Sequence, residues 1–108
     1  MDNQNEIGVT ELREGLDAGS VRLIEVLQPR EFDKGHLPGA VNIPFKQVGS
    51  EAKKRYAPEE TIVVYCHDEN CRASDIAADK LRALGFQDVR EFRGGKRAWE
   101  AAGLNLEY

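Results

Sequence analysis

The stretch Ile62-Val63-Val64-Tyr65-Cys66-His67-Asp68-Glu69-Asn70-Cys71-Arg72-Ala73 decides the fold. Its first four residues are β-branched or aromatic without polar alternation, the pattern of a strand buried on both faces in the middle of a parallel sheet. After Arg72 the period changes. Ala73, Ile76, Ala77, Leu81 and Leu84 fall on one helical stripe, and Gly85 follows as a left-handed cap. A strand passing through a short turn into a helix is the unit from which α/β layer folds are built. In such sheets, ligands bind beyond the carboxyl ends of the strands. Cys66 stands at that point.

Outward from this unit, strands and helices continue to alternate. Leu23, Ile24 and Val26 make a short strand, and Val41-Asn42-Ile43 and Val89-Arg90-Glu91-Phe92 make two more. Thr10 is placed to cap a helix carrying Leu12 and Leu16 and ending near Gly19, and Lys96 to Ala102 form a last helix before Gly103. Trp99 lies on the buried side of that helix, and with Phe86 and Phe92 it is expected to cover one sheet face. Lys53, Lys54 and Arg55 before Ala57-Pro58-Glu59 form a solvated helix end and loop. Residues 1–6 are polar and expected to be a flexible N-terminus, leaving 7–108 as a single domain.

A chain of 108 residues, 41% hydrophobic and 31% charged, matches one globular domain. Its apolar runs fall far short of the roughly 20 residues that cross a bilayer, and none resembling a signal peptide follows Met1, so a cytoplasmic location is expected. The net charge of −4 argues against nucleic acid or an anionic membrane as partner. Two cysteines cannot make a disulfide-bridged secreted scaffold, so their spacing needs another explanation.

That explanation starts from position. A thiol between a strand end and a helix start faces the unpaired N–H groups of the helix's first turn, which favour the nucleophilic thiolate. If the connection curls into a cradle of N–H groups, it would also hold an anion. The plainer alternative is a small buried cysteine at a strand end.

Four blocks in order resemble the rhodanese (sulfurtransferase) homology domain, from about Ile7 to Leu106. They are Leu23-Ile24-Glu25-Val26, the segment from Arg30-Glu31-Phe32 through Gly35-His36-Leu37-Pro38-Gly39-Ala40-Val41-Asn42-Ile43-Pro44, the strand Val63-Val64-Tyr65-Cys66, and Gly94-Gly95-Lys96-Arg97-Ala98-Trp99 with Ala102-Gly103-Leu104. The resemblance implies a three-layer α/β fold with a central five-stranded, mainly parallel sheet flanked by helices. It also implies that Cys66 takes up sulfane sulfur as a persulfide and passes it to a thiol or other nucleophile, without metal or organic cofactor. Chemically this is two displacements at sulfur, with backbone N–H groups compensating the persulfide's charge.

Several features depart from the family pattern. The loop His67, Asp68, Glu69, Asn70, Cys71, Arg72 has Cys71 where a basic residue usually ends it, and Arg72 comes one position later. Asp68 and Glu69 outweigh Arg72, which favours a persulfide or polysulfide donor over dianionic thiosulfate. The acceptor would be a protein or a low-molecular-weight thiol. In the first block, Glu25 keeps a carboxylate, whereas Leu27 stands where the family has arginine. Asn105 replaces the usual proline.

Cys71 either resolves a persulfide or sulfenic acid on Cys66 or fills the inner wall of the loop. Resolution would require Cα atoms roughly 4.4 to 6.8 Å apart. A non-catalytic or redox-sensing module using Cys66 and Cys71 is therefore the alternative to sulfur transfer. Cys66 to Arg72 also spells C-x5-R, the spacing of cysteine phosphatases and arsenate reductases, although Tyr65 precedes the cysteine and the loop lacks glycine.

Two histidines complete the candidates. His36 is expected to support a packed turn by bonding backbone near Pro38 and Gly39, while His67 either stabilises the thiolate or faces solvent. The adjacency of Cys66 and His67 disfavours a zinc site that would add Cys71 and His36. Gly94-Gly95 either brings backbone close to the active-site loop or makes an ordinary turn.

Overall fold

The computed structural model describes residues 5–108. Along the chain run α1 (Val9–Ala18), β1 (Arg22–Glu25), α2 (Pro29–Asp33), β2 (Val41–Asn42), α3 (Val48–Arg55), β3 (Thr61–Tyr65), α4 (Ala73–Ala83), β4 (Asp88–Phe92) and α5 (Gly95–Ala101). The strands form one parallel sheet in the order β2-β1-β3-β4. As its uninterrupted apolar run requires, β3 is internal, with Ile62 to Tyr65 buried.

Side chains leave the sheet alternately to its two faces, and each face has its own core. Ile24, Val26, Ile62, Val64 and Val89 pack with Val48 and Ala52 of α3 and Ala77, Ala78 and Leu81 of α4. On the opposite face Leu23, Val63, Tyr65 and Phe92 pack with Leu12 of α1 and Trp99 of α5. This helix–sheet–helix layering is the expected three-layer α/β architecture. Phe86 departs from the expected aromatic group: it lies in the α4–β4 turn, its N–H bonded to Leu81 O, and joins the α4 face.

Among the described residues the sheet has four strands where five were expected. The difference lies at the edge of β4. Glu6 makes an isolated parallel bridge to Glu91, where Glu91 N–H donates to Asn5 O (2.7 Å) and Ile7 N–H to Glu91 O (3.0 Å). Two bonds on one residue make a bridge, not a strand. They also bring Asn5 and Glu6 out of the expected flexible N-terminus, while Met1 to Gln4 lie outside the described residues.

Two helix predictions shift in detail. The N-cap of α1 is Gly8, in extended conformation, and Thr10 lies within the helix. In α4 the buried face is Ser74, Ala77, Ala78 and Leu81, at offsets 0, 3, 4 and 7, while Ile76 and Leu84 are each 42% exposed. Alanines let α4 sit close to the sheet, and the rotated stripe turns Ser74 inward. Gly85, at φ 100°, does end the helix in left-handed conformation.

Candidate functional site

β1, β3 and β4 end in register, with Glu25 beside Tyr65 and Tyr65 beside Phe92. The chain leaves β3 at Cys66, whose side chain turns towards α4 while that of Tyr65 turns towards α5. Cys66 is 1% exposed. Its sulfur is bonded to that of Cys71, with Cα atoms 6.4 Å apart. The two thiols that the sequence left as resolving pair or loop filler are therefore joined.

Within the loop that follows Cys66, two main-chain donors are already engaged. Asp68 accepts both N–H groups, from Asn70 to Oδ1 (2.9 Å) and from Cys71 to the main-chain oxygen (3.1 Å). The loop is held from the other side by α5. Lys96 N–H donates to Cys66 O (3.1 Å), and Arg97 N–H to His67 O (3.0 Å). Gly95 permits this approach: at φ 60° it adopts a conformation costly for other residues, and a Cβ there would overlap the main chain of Cys66 and His67. Of the two readings of Gly94-Gly95, close backbone approach is the one realised.

Beneath the disulfide lies a polar cluster on the α4 face. Ser74 Oγ, in the first turn of α4, is 3.7 Å from Cys66 Sγ and 3.5 Å from Glu91 Oε1. Arg93 Nη1 lies 3.3 Å from Glu91 Oε1 and also pairs with Asp75. Burial, and then a hydrogen bond with Asp75 and the charge of that carboxylate, push Glu91 up to about 7. Asp75 is held below its ordinary value, first by the hydrogen bond with Glu91 and then by Arg93 and Arg72, against the effect of burial.

On the other face Glu25 is fully buried. Tyr65 O–H donates to Glu25 Oε1 (2.8 Å) and accepts from Leu37 N–H (3.0 Å), while Lys96 Nζ lies 3.2 Å from Glu25 Oε2 and donates to Glu31 O (2.8 Å). Burial and the neighbouring Glu25 carboxylate raise the Tyr65 phenol well above its ordinary value. Glu25 thus supports α5 and the turn at Leu37, with its carboxylate on the face opposite the Cys66 sulfur.

The other candidates are dispersed. His36 stacks on Phe32, and its Nδ1–H donates to Phe32 O (3.1 Å), upstream of the expected Pro38-Gly39 backbone. His67 is half-exposed, with Nε2 3.5 Å from Glu31 Oε1. Arg72 is 80% exposed and turned to Asp75 (3.3 Å), so C-x5-R does not build a phosphate fork. With Cys66 and Cys71 joined and the histidines turned elsewhere, the zinc set is not assembled. Asp68, Glu69 and Asn70 border an open groove of about 450 Å³ against Gly94 and Arg97.

Sequence reasoning missed Ser74, Glu91 and Lys96. Glu91 had left a signal: it shares strand parity with buried Val89, an acid where the apolar face requires a hydrophobe. Ser74 and Lys96 left only helical positions.

Known proteins supply independent points of comparison. The chain is 30% identical over 104 residues to the HTH-type transcriptional regulator Rv0324 of Mycobacterium tuberculosis, covering 96% of this chain but only 45% of that protein. It is 30% identical to chloroplastic thiosulfate sulfurtransferase 16 of Arabidopsis thaliana over 111 aligned residues, covering 93% of this chain and 90% of the relative. The structure superposes on the human single-domain sulfurtransferase TSTD1 with a TM-score of 0.81 at 25% identity, covering 90% and 96% of the two chains. Residues 8–102 match the Rhodanese-like domain, and with the strand-end cysteine and parallel sheet described above, this chain belongs to that family.

Proposed function

We propose that the domain transfers sulfane sulfur through Cys66 and that Cys71 resolves the resulting persulfide. The observation that carries this reading is the pairing of the two cysteines across the loop after β3. Family membership and relatives named as sulfurtransferases support the class of reaction.

The cycle begins with the disulfide. An external thiolate attacks Cys71 Sγ, the more accessible sulfur, and Cys66 leaves as thiolate; a second thiolate then releases Cys71. Cys66 attacks the outer sulfur of a persulfide donor, R–S–SH, forming Cys66–S–SH and releasing R–S⁻. From there the outer sulfur passes to an acceptor thiolate. Alternatively, Cys71 thiolate attacks Cys66 Sγ, hydrosulfide leaves, and the disulfide re-forms. Each displacement makes one bond to sulfur and breaks one, and the external thiols supply the reducing equivalents.

Donor preference follows from charge. Asp68 and Glu69 border the groove and Arg72 is turned away to Asp75, so Arg97 is the cation bordering the groove with them. A persulfide or polysulfide is favoured over the dianion thiosulfate. A protein or low-molecular-weight thiol would serve as acceptor, and the reaction is proposed to proceed in the cytoplasm. Among the described residues no helix is long and apolar enough to cross a membrane.

The disulfide also favours a second reading, a redox-sensing module in which opening and closing of the loop is itself the output. The two separate on treatment of reduced protein with glutathione persulfide. Sulfur transfer requires a one-sulfur mass gain that Cys66→Ser abolishes and Cys71→Ser prolongs, with hydrosulfide released only when Cys71 is present. Absence of any Cys66-dependent adduct would defeat transfer, and oxidation to the disulfide without turnover would favour sensing.

A further inference from the structure

The cluster beneath the disulfide contains more than support for the loop. Ser74 Oγ stands between two acceptors, Cys66 Sγ at 3.7 Å and Glu91 Oε1 at 3.5 Å, and all three residues are buried. A serine hydroxyl has one proton to give. In the disulfide Cys66 has none, so a hydrogen bond between these two groups must come from Ser74. Both acceptors therefore compete for a single donor.

We propose that Glu91 is a positioning residue for the Cys66 sulfur, its charge deciding whether Ser74 gives its proton to that sulfur or to the carboxylate. When Glu91 is ionised, its oxygen is the stronger acceptor, because hydrogen bonds to charged groups are about twice as strong as neutral ones. Ser74 then turns away from the sulfur, and the carboxylate's own charge disfavours a thiolate at Cys66. When Glu91 is neutral, Arg93 still donates towards Oε1 and the serine proton is free for Cys66. A donor at the sulfur stabilises Cys66 as the leaving thiolate when the disulfide opens, and as the nucleophile afterwards.

The surroundings set where the switch occurs. From α4, Asp75 faces Glu91 and raises its affinity for a proton, whereas Arg82, bound to Val89 O (2.9 Å) and Asp79 (3.3 Å), opposes this. Arg93, following β4, also opposes it, but divides its charge among Glu91, Asp75 and, at 3.9 Å, Glu6. Arg72 reaches Asp75 alone (3.3 Å). Burial is the largest cause of the shift to about 7, and one guanidinium serving three carboxylates leaves Glu91 incompletely neutralised. The switch thus lies near neutral pH.

The proposal rests on Cys66 being the reacting sulfur, but its test needs no sulfur donor. In reduced Cys71→Ser protein Cys66 is the only thiol, and its ionisation is followed by thiolate ultraviolet absorbance against a matched protein that also carries Cys66→Ser. The parent is expected to titrate in two steps, the first near pH 7, as ionising Glu91 holds back the thiol. Glu91→Gln is expected to give a single step with its midpoint lower by about one unit or more. Ser74→Ala should move the first step upwards, because the serine serves the sulfur while Glu91 is neutral. A Glu91→Gln curve that superimposes on the parent overturns the proposal; should that variant not fold, an unmoved first step in Ser74→Ala does so instead. Loss of the persulfide adduct with these shifts intact would count against sulfur transfer and leave the positioning role standing.

Discussion

Two buried glutamates lie beneath the carboxyl ends of the strands, on opposite faces of the sheet, and they are treated differently. Glu25 has its own cation, Lys96, which α5 brings within 3.2 Å, and its own hydroxyl, from Tyr65. Glu91 shares Arg93 with Asp75 and Glu6, and shares the hydroxyl of Ser74 with a sulfur. The first arrangement ties α5 to the sheet. The second leaves a carboxyl pushed up to about 7, next to the sulfur proposed to do the chemistry. The two acids differ in how many neighbours claim the same cation.

The comparison can be broken most strongly at Lys96. Lys96→Met keeps the aliphatic stem but strands the Glu25 carboxylate, and a loss of about 3–5 kcal/mol in urea denaturation is expected. A loss below 1 kcal/mol would show that the pair does not hold α5. Tyr65→Phe removes the hydroxyl bridging Glu25 and Leu37, leaving two buried groups short of a partner; about 2–3 kcal/mol should be lost, with the fold retained.

Glu91 gives the opposite kind of result, visible only against pH. Its folded value, about 7, is above the ordinary carboxylate value of 4.5, so its stabilising contribution is complete below the unfolded value and fades as pH rises through 7. Asp75, shifted downwards, contributes in the opposite sense and only at lower pH, where protonation removes its share. Between pH 5 and 8 the native protein should lose stability of order 2 kcal/mol through Glu91, and Glu91→Gln should flatten that slope. Equal slopes in paired chemical denaturation series would place the titration elsewhere. The smallest effect is expected at Arg72→Ala: the exposed pair with Asp75 is worth less than about 1 kcal/mol, and persulfide formation should continue at an unchanged rate.

How much of this the sequence disclosed depends on the range of the forces involved. Ile62 to Tyr65 revealed a central strand because burial on both faces writes itself into consecutive residues. Cys66 and Cys71 were recognisable because strand end and loop place them locally. The five-residue α2 escaped notice, being too short for a helical stripe, although Pro29 at its start was visible. Asn5 and Glu6 join the sheet edge through main-chain bonds, so their side chains carry no strand pattern. Ser74 and Lys96 acquire their roles only when α4 and α5 pack against the sheet, a relation between residues far apart in the chain.

The short span of the disulfide has a consequence for the cost of opening it. Cross-links stabilise largely by shrinking the unfolded ensemble, and a separation of five residues restricts little of it, about 2 kcal/mol on a chain-entropy estimate. The loop's two ends are anchored without it, one by the β3 ladder and the bond from Lys96 N–H to Cys66 O, the other by α4. A bond that contributes so little chain restriction can be made and cut repeatedly while the domain keeps its shape, as a reusable catch rather than a rivet.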